Sequence, residues 1–104
     1  MIEIRIHKRK GAYDIRIRGH AGHEEKGKDI YCASASVLLY TLAENIKGNP
    51  CIVEYAEEIK EGNSRIFFTF TGEREIPAIT TTIEKGFVML VREYPEYFSI
   101  DFIR

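Results

Sequence analysis

A strict two-residue alternation at the start of the chain sets narrow limits on its fold. Ile2, Ile4 and Ile6 alternate with Glu3, Arg5 and His7, and Tyr13, Ile15 and Ile17 alternate with Asp14, Arg16 and Arg18. Successive side chains of an extended backbone point to opposite faces, so this pattern predicts two strands, each with one apolar face. Lys10-Gly11 separates them as the turn of a hairpin, and Gly19 ends the second.

Further along, the period changes. From Ile30 to about Lys47, Ala33, Ala35 and Ala43 mix with Val37, Leu38, Leu39, Leu42 and Ile46. They predict a helix that is apolar around much of its circumference and therefore well buried. Asp29 is a candidate N-cap, and Gly48-Asn49-Pro50 stops the helix. Cys51, Val53 and Tyr55 share the parity of a third strand, with Cys51 turned toward the helices. Glu61-Gly62-Asn63-Ser64 turns into a fourth, where Ile66, Phe68 and Phe70 share a face. Ile76, Ile79, Ile83, Phe87, Leu90, Val91 and Tyr94 recur at helical spacing, with Pro77 tolerated in the first turn and Pro95 at the end. Phe98, Ile100 and Phe102 form a last strand. The order ββαββαβ predicts an α+β fold of two layers: a mainly antiparallel sheet with two helices packed on one face. The opposite face carries Arg5, Arg16, Arg18, Phe67 and Thr69, a mixed surface that is wet or covered by a second subunit.

At 104 residues the chain is expected to be one domain, residues 1–104, large enough for a core without a metal or disulfide. A net charge of −1 gives it no general attraction to nucleic acid, and no direct nucleic-acid binding is expected. The basic run His7-Lys8-Arg9-Lys10 reads as a solvated hairpin tip. No apolar run approaches the roughly 20 residues of a membrane span, and the alternating start lacks the apolar core of a signal peptide. A cytoplasmic chain with two free thiols is the expectation.

Residues 19–36, GHAGHEEKGKDIYCASAS, concentrate the chemistry. With Asp29 as the cap, Cys32 is the third helical residue, beside the unpaired amides and the positive end of the helix dipole, a setting that favours thiolate. His20 stands twelve residues earlier, across a loop whose Gly22 and Gly27 give it the freedom to close over a bound ligand. Imidazole suits proton transfer at working pH, and the backbone N–H of Cys32 is a natural oxyanion donor. Ser36 lies one turn beyond Cys32 on the same helix face. Each residue has a plainer reading. A cysteine in a small-residue helix is most often packed and inert. A histidine in a charged loop is most often solvated, Asp29 serves equally as a simple cap, and Ser36 serves equally as a packing residue. His20, His23, Cys32 and Cys51 also supply two nitrogens and two sulfurs, but H-x2-H-x8-C-x18-C matches no standard zinc spacing, and no metal or other cofactor is expected.

The stretch resembles the ribosomal-processing cysteine protease family, Prp. Gly19-His20-Ala21, then Gly27-Lys28-Asp29-Ile30, then Cys32-Ala33 and Ser36 follow that family's motif, including the separation of His from Cys. His23 stands where an aromatic residue is common. The order and length of the remaining elements also fit the family's compact α/β domain. The resemblance implies a cysteine protease with Cys32 as nucleophile and His20 as base, and with Gly19, Asp29 and Ser36 as supporting positions. It further implies a homodimer that removes the N-terminal extension of a large-subunit ribosomal protein. Two other functions stay open at this point. A non-enzymatic ribosome-associated binding module would have no use for an acidified thiol, and a thiol-redox sensor would form a sulfenate or mixed disulfide without cutting peptide.

Overall fold

The computed structural model describes residues 1–20 and 30–103. The opening alternation becomes β1 (Ile2–Arg9) and β2 (Ala12–Arg18), paired antiparallel with Ile4 opposite Ile17 and Ile6 opposite Ile15. The isoleucines therefore stack in facing rows on one side of the sheet, while Arg5, Arg16 and Arg18 are exposed on the other. The remaining elements are α1 (Ile30–Ile46), β3 (Ile52–Lys60), β4 (Asn63–Phe70), α2 (Glu75–Glu93) and β5 (Phe98–Ile103). The order ββαββαβ matches the expectation.

The five strands lie in the order β3-β4-β2-β1-β5. All neighbours are antiparallel except β1 and β5. Strands β2 and β3 therefore run in one direction with β4 between them, and β4 and β5 run in the other with β2 and β1 between them. Each helix is a crossover between parallel strands. The two crossovers travel in opposite senses from oppositely directed strands, so right-handed connections place both helices over the same face. The core has that shape. Ile2, Ile4, Ile6, Ile15, Ile66 and Phe68 from the sheet meet Leu39, Leu42 and Ile46 of α1 and Ile76, Ile83 and Phe87 of α2.

Two features differ from the sequence reading. First, β3 carries a bulge: Ile52 faces Phe70, Glu54 faces Thr69 and Tyr55 faces Phe68, so Val53 is the extra residue. Ile52, not Val53, shares the inner face with Tyr55. Val53 is exposed, and Cys51 lies just before the strand rather than within its alternation. An edge strand has a ladder on one side only, so it absorbs an added residue where a central strand would lose bonds on both. Second, α1 is buried on one side only. Ala35, Leu39, Leu42, Ala43 and Ile46 are buried, whereas Ile30, Val37 and Tyr40 are well exposed. A two-layer fold covers a helix from beneath and from one flank, and among the described residues no third layer lies above α1.

The buried polar groups are paired. Glu84 of α2 accepts hydrogen bonds from the Tyr13 hydroxyl at 2.8 Å and from Lys8 Nζ at 3.0 Å, which ties α2 to the first hairpin. At the opposite end, Tyr31 stacks on Tyr97 with ring centroids 4.1 Å apart and meets Tyr94 edge-on at 5.2 Å. These rings fix the first turn of α1 against the connection between α2 and β5.

Candidate active site

The pairing of β2 with β4 decides where the site forms. Arg18, the last residue of β2, is opposite Asn63, the first of β4, and Asn63 also faces Lys60 across the β3–β4 turn. The tip of that second hairpin therefore lies beside the two residues after β2, Gly19 and His20. The Gly19 N–H donates to the Gly62 carbonyl at 2.9 Å, and the Met1 amino group donates to the His20 carbonyl at 2.6 Å. Gly19 has φ +99°, and a Cβ there would run into the Met1 carbonyl oxygen. Glycine at position 19 thus has a steric cause: only a residue without a side chain lets the chain pass this close to the start of β1.

The helix carrying the cysteine opens onto the same end of the sheet. It starts at Ile30, so Cys32 is its third residue, in the first turn at the positive end of the helix dipole. Cys32 is a half-buried cysteine outside any disulfide, packed against the core, and Tyr31 beside it is held in the aromatic cluster. Ser36 follows one turn later and is exposed. Gly19, His20, Cys32 and Ser36 line one cleft of about 280 Å³. Its floor is apolar, with Ile2, Ile17, Leu39 and Ile59. Its far wall is the second hairpin, Lys60 to Ser64, and Tyr40 stands at its edge. An apolar floor with a polar rim suits an extended peptide, whose side chains seek the floor while its backbone finds partners on the rim.

Four of the five residues singled out from the sequence thus share this cleft. The fifth, Asp29, lies outside the described residues, as do His23 and the loop 21–28 expected to close over peptide. The sequence does not mark the hairpin wall. Glu61-Gly62-Asn63 reads as a turn, and nothing local places it beside His20; its position comes from the long-range pairing of β2 with β4.

The second thiol sits elsewhere. Cys51 donates through Sγ to Glu75 Oε2 at 3.3 Å, and Asn49 Nδ2 donates to the other oxygen of the same carboxylate at 3.1 Å. The hydrogen bond to Glu75 pushes the Cys51 thiol above its ordinary value, and desolvation adds to the effect. Among the described residues, no three His, Cys, Asp or Glu side chains gather to hold a metal ion. Among the described residues, no helix is long and apolar enough to cross a membrane.

The fold agrees with that of known proteins. A family model that covers nearly the whole chain and a solved relative that holds a covalently linked product peptide place the chain in the class of cysteine proteases. The family model for cysteine protease Prp matches residues 1–99, and the chain belongs to that family. Among solved structures, the chain is similar to the ribosomal processing protease Prp from S. aureus in complex with a covalently linked product peptide. The identity is 27% and the TM-score 0.81, over 98% of this chain and 99% of that one. It shares its fold with SMU.848 from Streptococcus mutans at 23% identity and a TM-score of 0.74, over 99% and 94% of the two chains. No curated protein matches it.

Proposed function

We propose that this cysteine protease cuts peptide bonds with Cys32 as nucleophile and His20 as its proton partner, and that its substrate is the N-terminal extension of a large-subunit ribosomal protein. The observation that carries the catalytic part is the convergence of His20 and the third residue of α1 on one cleft. The substrate class is supported by the likeness to the S. aureus ribosomal processing protease.

The Cys32 thiolate attacks the scissile carbonyl carbon and forms a C–S bond, and the carbonyl electrons move onto oxygen. The Cys32 N–H, in the first turn of α1 at the positive end of the helix dipole, stabilises that oxyanion. As the tetrahedral adduct collapses, the C–N bond breaks and His20 delivers a proton to the departing amine. Water then attacks the thioester while His20 takes its proton, which releases the acid and restores the thiolate. Gly19 carries the backbone that holds His20, Ser36 contacts the bound peptide, and Asp29 supports the site as cap of α1 or as orienting group for His20. No cofactor enters this sequence. The catalytic domain spans residues 1–104, the protein works as a homodimer, and a ribosomal substrate places it in the cytoplasm.

A synthetic peptide copying the extension, incubated with the protein and followed by mass spectrometry, tests this directly. One defined cut is expected. Cys32→Ser is expected to remove cleavage, and His20→Ala to slow it by about 10²–10⁴-fold, the usual contribution of proton transfer. Cleavage that survives Cys32→Ser overturns the assignment. A peptide left whole while Cys32 forms a sulfenate or mixed disulfide favours a redox sensor.

A further inference from the structure

We infer that Gly62 is a positioning residue: lacking a side chain, it leaves at the tip of the second hairpin the space in which the His20 imidazole lies. This rests on the reading of His20 as the partner of Cys32. The observation is steric. A Cβ built at Gly62 would stand 2.6 Å from His20 Nε2 and 2.9 Å from Cε1, closer than real contacts allow. The imidazole is therefore seated against the Gly62 backbone. The same glycine fixes the backbone of the histidine's neighbour, since its carbonyl accepts the Gly19 N–H at 2.9 Å. Gly62 thus sets the ring by leaving room and sets the chain that carries it by a hydrogen bond. A misplacement of about 1 Å at a reacting group costs about 10²-fold in rate. A methyl group at Gly62 forces a displacement of that order.

Gly62 has φ +75°, so any side chain there also strains the backbone. Gly48 separates the two effects: its φ is +76°, and a Cβ there meets nothing within 4 Å. Gly48→Ala carries the strain alone, and Gly62→Ala carries the strain and the collision with His20. Gly62→Asn has the same Cβ on a residue that enters the left-handed region more readily, and it serves if the alanine variant does not fold. Two readouts apply to each full-length variant. One is the ring resonances of His20 in histidine-labelled protein. The other is the rate at which iodoacetamide alkylates Cys32 at pH 7. Gly62→Ala and Gly62→Asn are expected to move the His20 resonances and to slow Cys32 alkylation by about tenfold, the effect of raising a thiol by about one pH unit. Gly48→Ala is expected to leave both at wild type. Folded Gly62 variants with wild-type His20 resonances overturn the proposal. So do moved resonances with an unchanged alkylation rate, when His20→Ala itself slows alkylation. Wild-type alkylation in His20→Ala is a different failure: it removes the Cys-His pairing, while the resonances still decide whether Gly62 seats the ring.

Discussion

Tyr13→Phe removes one oxygen atom from the middle of the fold, and the surroundings of that atom set the cost. The Tyr13 side chain is 2% exposed, and its hydroxyl donates to the buried carboxylate of Glu84 at 2.8 Å. The ring stacks on Phe68 with centroids 5.3 Å apart, and phenylalanine keeps that contact. The substitution therefore isolates one hydrogen bond to a charged acceptor, a bond that contributes about 1.5–3 kcal/mol. Lys8 still donates to Glu84, so the carboxylate is not orphaned, and a loss of about 2 kcal/mol at neutral pH is expected. In a domain of this size, that lowers Tm by about 8–16 °C. The pH dependence gives a second, independent reading. Burial, then the Glu84 charge and the hydrogen bond to it, push the Tyr13 phenol well above its ordinary value. Above pH ~10 the unfolded chain releases this proton and the folded chain keeps it. The unfolded state then binds fewer protons, so stability is full below pH ~10 and falls as pH rises beyond it. At pH 11 the wild type should have lost about 1.4 kcal/mol through this group, a loss that Tyr13→Phe cannot show. Tyr31 and Tyr55, also raised, are common to both proteins and cancel in the difference. Denaturant unfolding of the two proteins from pH 7 to 11 measures both effects. A neutral-pH loss under about 0.5 kcal/mol, or stability curves that stay parallel above pH 10, would overturn this reading of the network.

The one-sided burial of α1 predicts unequal costs along it: Leu42→Ala, at a fully buried position, is expected to lose about 2–5 kcal/mol, and Val37→Ala, on the outer surface, to stay within about 0.5 kcal/mol in the same denaturation assay. The two thiols should also differ. Cys32, at the start of α1, should react with iodoacetamide faster than Cys51, titrating below the ~8.5 of a free thiol, and the difference should vanish in denaturant. Because the Glu75 carboxylate holds the Cys51 proton in place, Glu75→Gln should speed Cys51 alkylation at pH 8 and leave Cys32 unchanged; equal speeding at both would show the effect to be global.

Much of the fold is legible in the sequence because its strands are amphipathic. Ile2, Ile4 and Ile6 and Tyr13, Ile15 and Ile17 carry their own facing, and Gly11 marks the turn between them. The bulge in β3 is not legible. Val53 looks like an inward residue by parity, and only the pairing of Ile52 with Phe70 and of Tyr55 with Phe68 reveals that it is the extra one. The exposed side of α1 is hidden for a related reason: Val37 and Tyr40 are apolar, and apolarity in a helix does not say how many layers surround it. At the site, the short motif from Gly19 to Ser36 displays the thiol, the imidazole and their spacing, because these residues are close in sequence. Gly62 escapes notice because its meaning is spatial. It reads as a turn glycine, and it becomes part of the site only when β4 settles beside β2 and brings the second hairpin against His20.

The proposed chemistry depends on Cys32 forming the covalent bond to substrate, and an acid quench can trap that bond. The protein is mixed with the extension peptide, stopped in acid within one turnover, digested, and searched by mass spectrometry for a thioester. The expected result is the N-terminal fragment of the peptide attached to Cys32, with no adduct on Cys51 and no thioester in Cys32→Ser. A peptide mass on Cys51, or cleavage that proceeds in Cys32→Ala, would contradict the assignment of the nucleophile.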